Sequence, residues 1–175
     1  PILIETLVGF FLEPYHRSVR KRQTQKSKFY FFDMGVARTL SNRVTITPVP
    51  NTFEYGDLFE QFIILEFIKL NHYFETRFKL SYLRLEDDSE IDLIIEKPNG
   101  EHLLVEIKSS TNIDLYEVKK MTKFKSNFKK ASFYYLSQDE DQRFEHDIFC
   151  LPWQEGIKRI FALPSPSTLS KPKLE

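Results

Sequence analysis

The stretch from residue 90 to residue 108, EIDLIIEKPNGEHLLVEIK, constrains the fold more than any other part of the chain. On both sides of its central turn the side chains follow a period of two, which is the periodicity of a β-strand. Pro98 suits the second position of a type I turn, and Gly100 can adopt the left-handed conformation that closes a three-residue hairpin loop. The stretch therefore predicts two antiparallel strands joined by a tight turn.

The register of this hairpin would bring two acids together. If Lys97 pairs with Glu101, counting back along both strands sets Asp92 directly opposite Glu106. Lys108 lies two residues further along and points to the same side. One face of the hairpin would then carry two carboxylates and an ammonium, while the other face is apolar.

Such a pair of carboxylates has a chemical use. Neighbouring cross-strand acids repel each other unless a cation lies between them, and Mg2+ takes oxygen ligands while keeping positions for water and a phosphate oxygen. A lysine beside the ion can orient or deprotonate water, or offset charge on a phosphate. The alternative is a solvated hairpin face on which Glu106 and Lys108 only pair with each other.

A third acid is expected from a helix. Residues 56–74, GDLFEQFIILEFIKLNHYF, are apolar nearly all round, which is typical of a buried helix. Glu60 and Glu66 inside it need partners, because a buried unpaired carboxylate is costly. Helical periodicity does not rank the two, since they lie on faces about 120° apart.

These residues carry a family resemblance. An acid on a helix, then Asp, then E-x-K across a hairpin resembles the PD-(D/E)XK nuclease superfamily. From Leu7 to Phe161 the chain is similar, more closely, to the nuclease-like domain of unknown function that follows the ATPase module in prokaryotic AAA-type ATPases. The matching blocks are KFYFFDMGV (28–36), GDLFE (56–60), EIDLII (90–95), VEIKSS (105–110) and LPW (151–153).

The resemblance implies a fold and a site. The fold is α/β, with a mixed β-sheet flanked by helices in a restriction-endonuclease-like core. The implied catalytic residues are Glu60, Asp92, Glu106 and Lys108, of which the three acids would hold the metal. Glu66 matches a second glutamate often found in that helix.

The resemblance also implies a function. We expect Mg2+-dependent (or Mn2+-dependent) hydrolysis or binding of DNA by the C-terminal domain of an ATPase whose ATPase module lies upstream in cis. The rival expectation is a non-catalytic DNA- or protein-interaction module in which the site is a relict. Both predict a cytoplasmic protein.

The charge distribution gives candidate DNA contacts. Lys and Arg together number 25, as do Asp and Glu, so the chain as a whole is neutral and does not advertise nucleic-acid binding. Two basic clusters nevertheless flank the hairpin in sequence and could follow a phosphate backbone; solvated polar surfaces are the alternative. The candidate contacts are Arg17, Arg20, Lys21 and Arg22 in the first cluster and Lys119, Lys120 and Lys123 in the second.

Composition narrows the class of protein. The hydrophobic fraction is 41%, and 175 residues suffice for one core. A single cysteine and four scattered histidines give no disulfide and no zinc spacing. No apolar run approaches a membrane-spanning length, and no glycine-rich phosphate loop indicates a nucleotide site. We expect no signal segment before the fold.

The remaining organisation is coarse. We expect a helix and basic hairpin over residues 1–41 that resemble part of a winged helix, a linker over 42–55, the nuclease-like core over 56–163 and a disordered tail over 164–175. The predicted elements outside the motif are helices at 2–12, 114–128 and 153–161, a hairpin within 15–33, and strands at 78–85, 132–137 and 147–151.

Overall fold

The fold is taken from a computed structural model that describes residues 8–15, 26–128 and 130–163. These residues form a mixed α/β structure with four α-helices, one 3-10 helix, a six-stranded sheet and a two-stranded sheet. In chain order the elements are β1 (Gly9–Leu12), β2 (Lys28–Phe31), α1 (Met34–Leu40), α2 (Phe53–Tyr73), β3 (Lys79–Arg84), β4 (Glu90–Glu96), β5 (His102–Ile107), α3 (Leu115–Met121), the 3-10 helix (Thr122–Asn127), β6 (Ala131–Ser137), β7 (Arg143–Glu145), β8 (Ile148–Pro152) and α4 (Trp153–Phe161).

The large sheet is mixed, as predicted. Its strand order is β3-β4-β5-β6-β8-β7. The strands β5, β6 and β8 run parallel to one another, whereas β3, β4 and β7 pair antiparallel with their neighbours. The connection from β5 to β6 passes through α3 and the 3-10 helix, because parallel neighbours need a crossover rather than a tight turn.

The predicted motif hairpin is confirmed. Leu93 pairs with Val105 and Glu96 with His102, and the turn closes through a 2.9 Å hydrogen bond from Lys97 N to Glu101 O. Gly100 adopts φ +80°, the left-handed conformation for which glycine suits this position.

A β-bulge interrupts β4 beside the predicted site. Ser81 of β3 pairs with Ile94 and Leu83 pairs with Ile91, so Asp92 and Leu93 together face the single residue between Ser81 and Leu83. The bulge breaks the period of two. Ile91 therefore packs in the same cluster as Ile94 and not with Leu93, which corrects the simple alternation expected along this strand.

Apolar clusters cover both faces of the sheet. On one face α2, α4 and the β1–β2 sheet pack against side chains that include Leu93 and Val105. On the other face α3 and the 3-10 helix pack against side chains that include Ile94 and Leu104. The expectation of one polar and one apolar hairpin face is therefore wrong: apolar side chains cover both faces, and Asp92 and Glu106 lie near the ends of the strands away from the turn.

Helix α2 is confirmed but begins three residues earlier than predicted. Thr52 caps its N-terminus by accepting a hydrogen bond from Tyr55 N at 3.3 Å. Its buried side chains are Ile63, Ile64, Leu65 and Phe67. None of residues 58–68 is fully exposed, as expected for a largely buried helix.

The N-terminal segment differs from its prediction. Residues 9–12 form a strand rather than the end of a helix, and that strand pairs with β2 in a hairpin whose first strand precedes Tyr15. A Cβ at Gly9 would lie 2.3 Å from Tyr30 O, so glycine is what allows this close pairing. Residues 1–7 and 16–25 lie outside the described residues, so most of the predicted basic hairpin is not described between its two strands, and α1 was not predicted.

The elements of the C-terminal half of the chain agree better with the predicted ones. The strands β6 and β8 and helix α4 lie where they were predicted, while β7 was missed. The single helix predicted over 114–128 is α3 followed by the 3-10 helix. The predicted tail (164–175) lies outside the described residues. Within the described part of the chain, no helix is both long enough and apolar enough to span a membrane.

Candidate functional site

The predicted acids meet where β5 ends and β4 begins. Glu106 and Lys108 come from the carboxyl end of β5, and Asp92 comes from the start of the antiparallel neighbour β4. Asp92 and Glu106 are buried, with 7% and 9% of their surface exposed, and both line the same cleft as Lys108. The structure thus brings these three residues together.

The side chain of Asp92 accepts a hydrogen bond that the backbone of β4 would otherwise accept from β5. Hydrogen-bonded pairs alternate along an antiparallel ladder, so Ile107 N would be expected to bond to the backbone of Ile91. It donates instead to Oδ2 of Asp92 at 2.7 Å, and the pairing of β4 with β5 stops at Leu93 and Val105. The two strands separate at this point, which leaves room for the cleft.

Glu106 has one satisfied and one unsatisfied oxygen. Its Oε1 accepts a hydrogen bond from Lys108 Nζ at 2.5 Å. Its Oε2 is buried and has no hydrogen-bond partner. A buried carboxylate oxygen without a donor costs free energy and marks a place where a cation or donor is missing.

Ionisation of Asp92 and Glu106 is unfavourable without a further cation. Burial raises the pKa of Asp92 well above its ordinary value, and the charges of Glu106 and Glu60 raise it further. Burial also raises the pKa of Glu106, against the opposing effect of Lys108. One lysine therefore does not balance the acids gathered here.

The helix acid Glu60 reaches the cluster from α2. Its Oε1 accepts hydrogen bonds from Tyr30 Oη at 2.6 Å and from Lys28 Nζ at 3.2 Å. Lys28 also forms an ion pair with Glu90 of β4. Glu60 affects the pKa of Asp92, so the two carboxylates lie within electrostatic reach of each other.

Glu66 lies apart from the cluster. It forms an exposed ion pair with Lys69, one turn along α2, at 2.9 Å. Of the two glutamates in this helix, the structure places Glu60 toward the site and Glu66 toward solvent.

Lys28, Tyr30 and Glu90 were missed by the sequence reasoning. Lys28 and Tyr30 alternate on β2, so both point to one face of that strand. They also belong to one of the blocks that carried the family resemblance. The pattern was visible, but only the tertiary contact shows that this strand face is turned to α2.

The cleft itself is acidic. It encloses about 460 Å³ and is lined by six acids and three lysines together with apolar residues from α3 and the 3-10 helix. The charged residues of the lining are Asp87, Asp88, Glu90, Asp92, Glu106, Glu117, Lys108, Lys120 and Lys123. A polyanion would be repelled from this surface unless cations were bound to it.

The predicted DNA contacts are only partly described. Lys120 and Lys123 line the cleft, but Lys120 pairs with Glu117 at 2.6 Å and Lys123 with Asp87 at 3.5 Å. Lys119 is exposed and does not line the cleft. The other four candidates, Arg17, Arg20, Lys21 and Arg22, lie outside the described residues.

The donor set suits a hard divalent ion only in part. Among the residues that the structure describes, no three His, Cys, Asp or Glu side chains are arranged to hold a metal ion. Asp92 and Glu106 supply carboxylate oxygens, one of them unpartnered, and Mg2+ is commonly held by one or two carboxylates with water and phosphate completing its shell. The residues fit such an ion, whereas Glu60 is engaged by Lys28 and Tyr30.

Fold and site together define a mixed α/β domain with a buried acid–lysine cluster at the carboxyl end of a central strand. Residues 55–155 match the family model described as a domain of unknown function, DUF4143, and the chain belongs to this family. The match includes Glu60, Asp92, Glu106 and Lys108 but leaves out Lys28. Comparison with curated proteins and with solved structures gives no match.

Proposed function

We propose that this chain is a PD-(D/E)XK nuclease-like domain that hydrolyses phosphodiester bonds of DNA with the help of Mg2+ or Mn2+. The observation that carries the proposal is the buried pair Asp92 and Glu106, with Oε2 of Glu106 unpartnered and Lys108 beside it. Two buried acids, one of them with an unpartnered oxygen, are costly to keep, and a metal-dependent site explains their presence.

The two buried acids are the residues that would hold the ion. A bound divalent ion would supply positive charge to a phosphate oxygen and act as a Lewis acid. The hydrogen bond from Ile107 N fixes Oδ2 of Asp92, so that carboxylate is held in place before any ligand arrives. Such preorganisation by a backbone donor keeps the geometry of a site constant.

Lys108 is suited to act as a cation. Burial on its own would lower the pKa of Lys108, but the charges of Asp92 and Glu106 outweigh it and raise the pKa above its ordinary value. The ammonium therefore stays protonated at neutral pH. It can stabilise the negative charge that develops on phosphorus-bound oxygens, whereas deprotonating water is a poor role for it.

The reaction is a simple displacement. The oxygen of a water molecule forms a bond to phosphorus and gives up one proton to solvent. The bond from phosphorus to the leaving sugar oxygen breaks, and that oxygen takes up one proton from solvent. The excess of acids in the cleft means that the DNA backbone approaches only when cations have been bound. Cation binding and substrate binding are thereby coupled.

The wider context is also part of the proposal. The resemblance of the sequence to domains that follow an ATPase module supports a role as the C-terminal nuclease-like part of a prokaryotic AAA-type ATPase. The basic run that includes Arg17, Arg20, Lys21 and Arg22 contains no acid. In this proposal it contacts the DNA backbone.

A second candidate function has its own supporting observation. Glu60 is paired with Lys28 and Glu106 is paired with Lys108, so two of the three acids already have internal counter-ions. This pairing favours a non-catalytic DNA- or protein-interaction module with a relict site. The two functions differ in whether the purified chain binds a divalent ion at all.

Calorimetric titration with MnCl2 and MgCl2, followed by incubation with plasmid and single-stranded DNA, tests the proposal. We expect Mn2+ binding that is lost in Asp92→Asn, and cleavage that requires the ion. Asp139→Asn is the matched control, because Asp139 is equally buried and accepts a 2.7 Å bond from Ile113 N outside the cleft. The absence of ion binding with and without DNA would leave the non-catalytic module.

A further inference from the structure

The ammonium of Lys28 lies next to the acid cluster. It contacts carboxylates on two different elements, Glu60 of α2 at 3.2 Å and Glu90 of β4. It also lies 5.3 Å from the centre of the Tyr82 ring, which favours a positive charge over its face. Lys28 is half-buried by these contacts, with 26% of its side chain exposed.

We propose that Lys28 is an internal competitor for the divalent ion: its ammonium holds Glu60 away from Asp92 and Glu106, and it must release Glu60 before that carboxylate can join the ion. This inference rests on the proposed metal-dependent function and adds a regulatory residue to it. It makes the metal-free chain a closed state with low affinity for the ion.

The charge of Lys28 makes it a real competitor. Its ammonium lies between the carboxylates of Glu60 and Glu90 and forms an ion pair with each. A lysine side chain is charged at neutral pH. Two cations that draw on the same carboxylate repel each other, and in a partly buried site water screens that repulsion only weakly.

The geometry explains why Glu60 does not complete a three-acid site. Tyr30 and Lys28 both donate to Oε1 of Glu60, so two side chains of β2 hold this carboxylate. The described residues contain no ready three-ligand group, although Glu60 lies within electrostatic reach of Asp92. What separates the third acid from the other two is its attachment to β2.

Lys28 also stands outside the region that matches the DUF4143 model, which begins at residue 55. The acids of the site belong to the matched region, whereas their internal counter-ion comes from the N-terminal two-stranded sheet. Control of the ion site by Lys28 is therefore a property that the N-terminal segment adds to the domain.

Removal of the Lys28 charge tests the inference directly. We expect Lys28→Met to bind Mn2+ about tenfold more tightly than the wild type in calorimetric titration, because an adjacent competing charge is gone. Lys69→Met is the matched control, since Lys69 forms an exposed ion pair with Glu66 on α2, the helix that carries Glu60. The Mn2+ affinity of this variant should equal that of the wild type.

Two further variants keep the test decisive. Lys28→Gln removes the charge but retains a hydrogen-bond donor for Glu60. It is used in place of Lys28→Met if that variant does not fold. Lys28→Met combined with Glu60→Gln should lose the gain in affinity, because the released carboxylate is the group that reaches the ion. Wild-type affinity in both Lys28→Met and Lys28→Gln overturns the inference.

A measurement on the wild type does not depend on any variant. Reductive methylation followed by mass spectrometry should modify Lys28 slowly in EDTA and several times faster in saturating Mn2+, because the ammonium has left its carboxylates. An unchanged rate overturns the inference even where calorimetry detects Mn2+ binding, and the proposed function then stands. Failure of every variant, Lys28→Met included, to bind Mn2+ overturns both together.

Discussion

The backbone N–H of Ile107 donates to the side chain of Asp92, across the point where the ladder between their strands stops. This bond substitutes a carboxylate for a backbone carbonyl and lets β4 and β5 separate without leaving the N–H unsatisfied. The bulge in β4 lies at the same residue. Interrupting the sheet at Asp92 and burying the acid there costs free energy locally, and a binding site at this position explains that cost.

The first prediction concerns the stability of Asp92→Asn. The amide oxygen of asparagine can still accept from Ile107 N, while the buried negative charge and its repulsion with Glu106 are removed. We expect the variant to be folded and, in EDTA at pH 7, at least as stable as the wild type in urea unfolding. Asp139→Asn, which lies outside the cluster, should show no such gain.

The pH dependence of this effect has a definite sign. Burial raises the pKa of Asp92 in the folded state, with Glu106 and Glu60 adding to the shift. The folded protein therefore binds the proton more tightly than the unfolded chain, and ionisation destabilises it as the pH rises above about 4. The advantage of Asp92→Asn should vanish below that pH and grow toward neutrality. A constant difference between pH 3 and pH 7 would show that charge is not its cause.

Lys108→Ala should separate catalysis from ion binding. If DNA hydrolysis is found, loss of this ammonium should slow it by about 10²–10³, the effect of removing one charge-stabilising group from a reaction site. Mn2+ affinity should fall little or rise, because a positive charge beside Glu106 has been removed. Lys120→Ala is the control, since Lys120 lines the same cleft but pairs with Glu117. Equal rates for the two variants would remove Lys108 from the mechanism.

The motif hairpin was predictable because its determinants are local. The alternation of side chains and the KPNG turn predicted the register without tertiary information, and Leu93 pairs with Val105 as that register requires. The ladder stops there, so the predicted pairing of Asp92 with Glu106 is not formed, although both side chains line the same cleft. The position of Lys108 followed from the same count.

The rest of the site depends on contacts between distant segments. Helical periodicity does not show which of Glu60 and Glu66 belongs to the site, and only the packing of α2 on the sheet distinguishes them. Lys28 meets Glu60 and Glu90 across separations of 32 and 62 residues in the chain. No local sequence pattern predicts contacts over such separations. Lys28 has the pattern of a surface charge in the sequence, whereas in the fold it lies against the acid cluster.

The errors at the N-terminus have a similar origin. The residues of β1 are apolar and would suit a helix or a strand, since a short apolar run has no decisive period. Their pairing with β2 makes them a strand. The bulge at Asp92 escaped prediction because it is set by the partner strand β3 and not by β4 alone.

Two glycines offer a matched test of the packing around the sheet. Gly56 and Gly156 are each the fourth residue of a helix, α2 and α4. A Cβ at Gly56 would meet only Ser109 Oγ at 3.8 Å, so Gly56→Ala should stabilise the protein by about 0.5–1 kcal/mol through helix propensity. A Cβ at Gly156 would lie 2.2 Å from Cδ2 of the fully buried Leu136.

Gly156→Ala should therefore destabilise the protein by about 1–3 kcal/mol, because overpacking outweighs the gain in propensity. Denaturant midpoints of the two variants, measured side by side, check both signs. A stabilising Gly156→Ala would mean that α4 does not pack on Leu136 as closely as described.

The last prediction concerns the single cysteine, Cys150, in the middle of β8. The side chain is fully buried between α3 and the sheet, and burial, with a contribution from Glu145, raises the pKa of its thiol to about 11. Since the thiolate is the reactive form, the folded protein should not react with a disulfide reagent such as DTNB at pH 8. One thiol should react at once in guanidinium chloride. Rapid reaction of the native protein would show that β8 is exposed, and would contradict the strand order on which the position of the acid cluster depends.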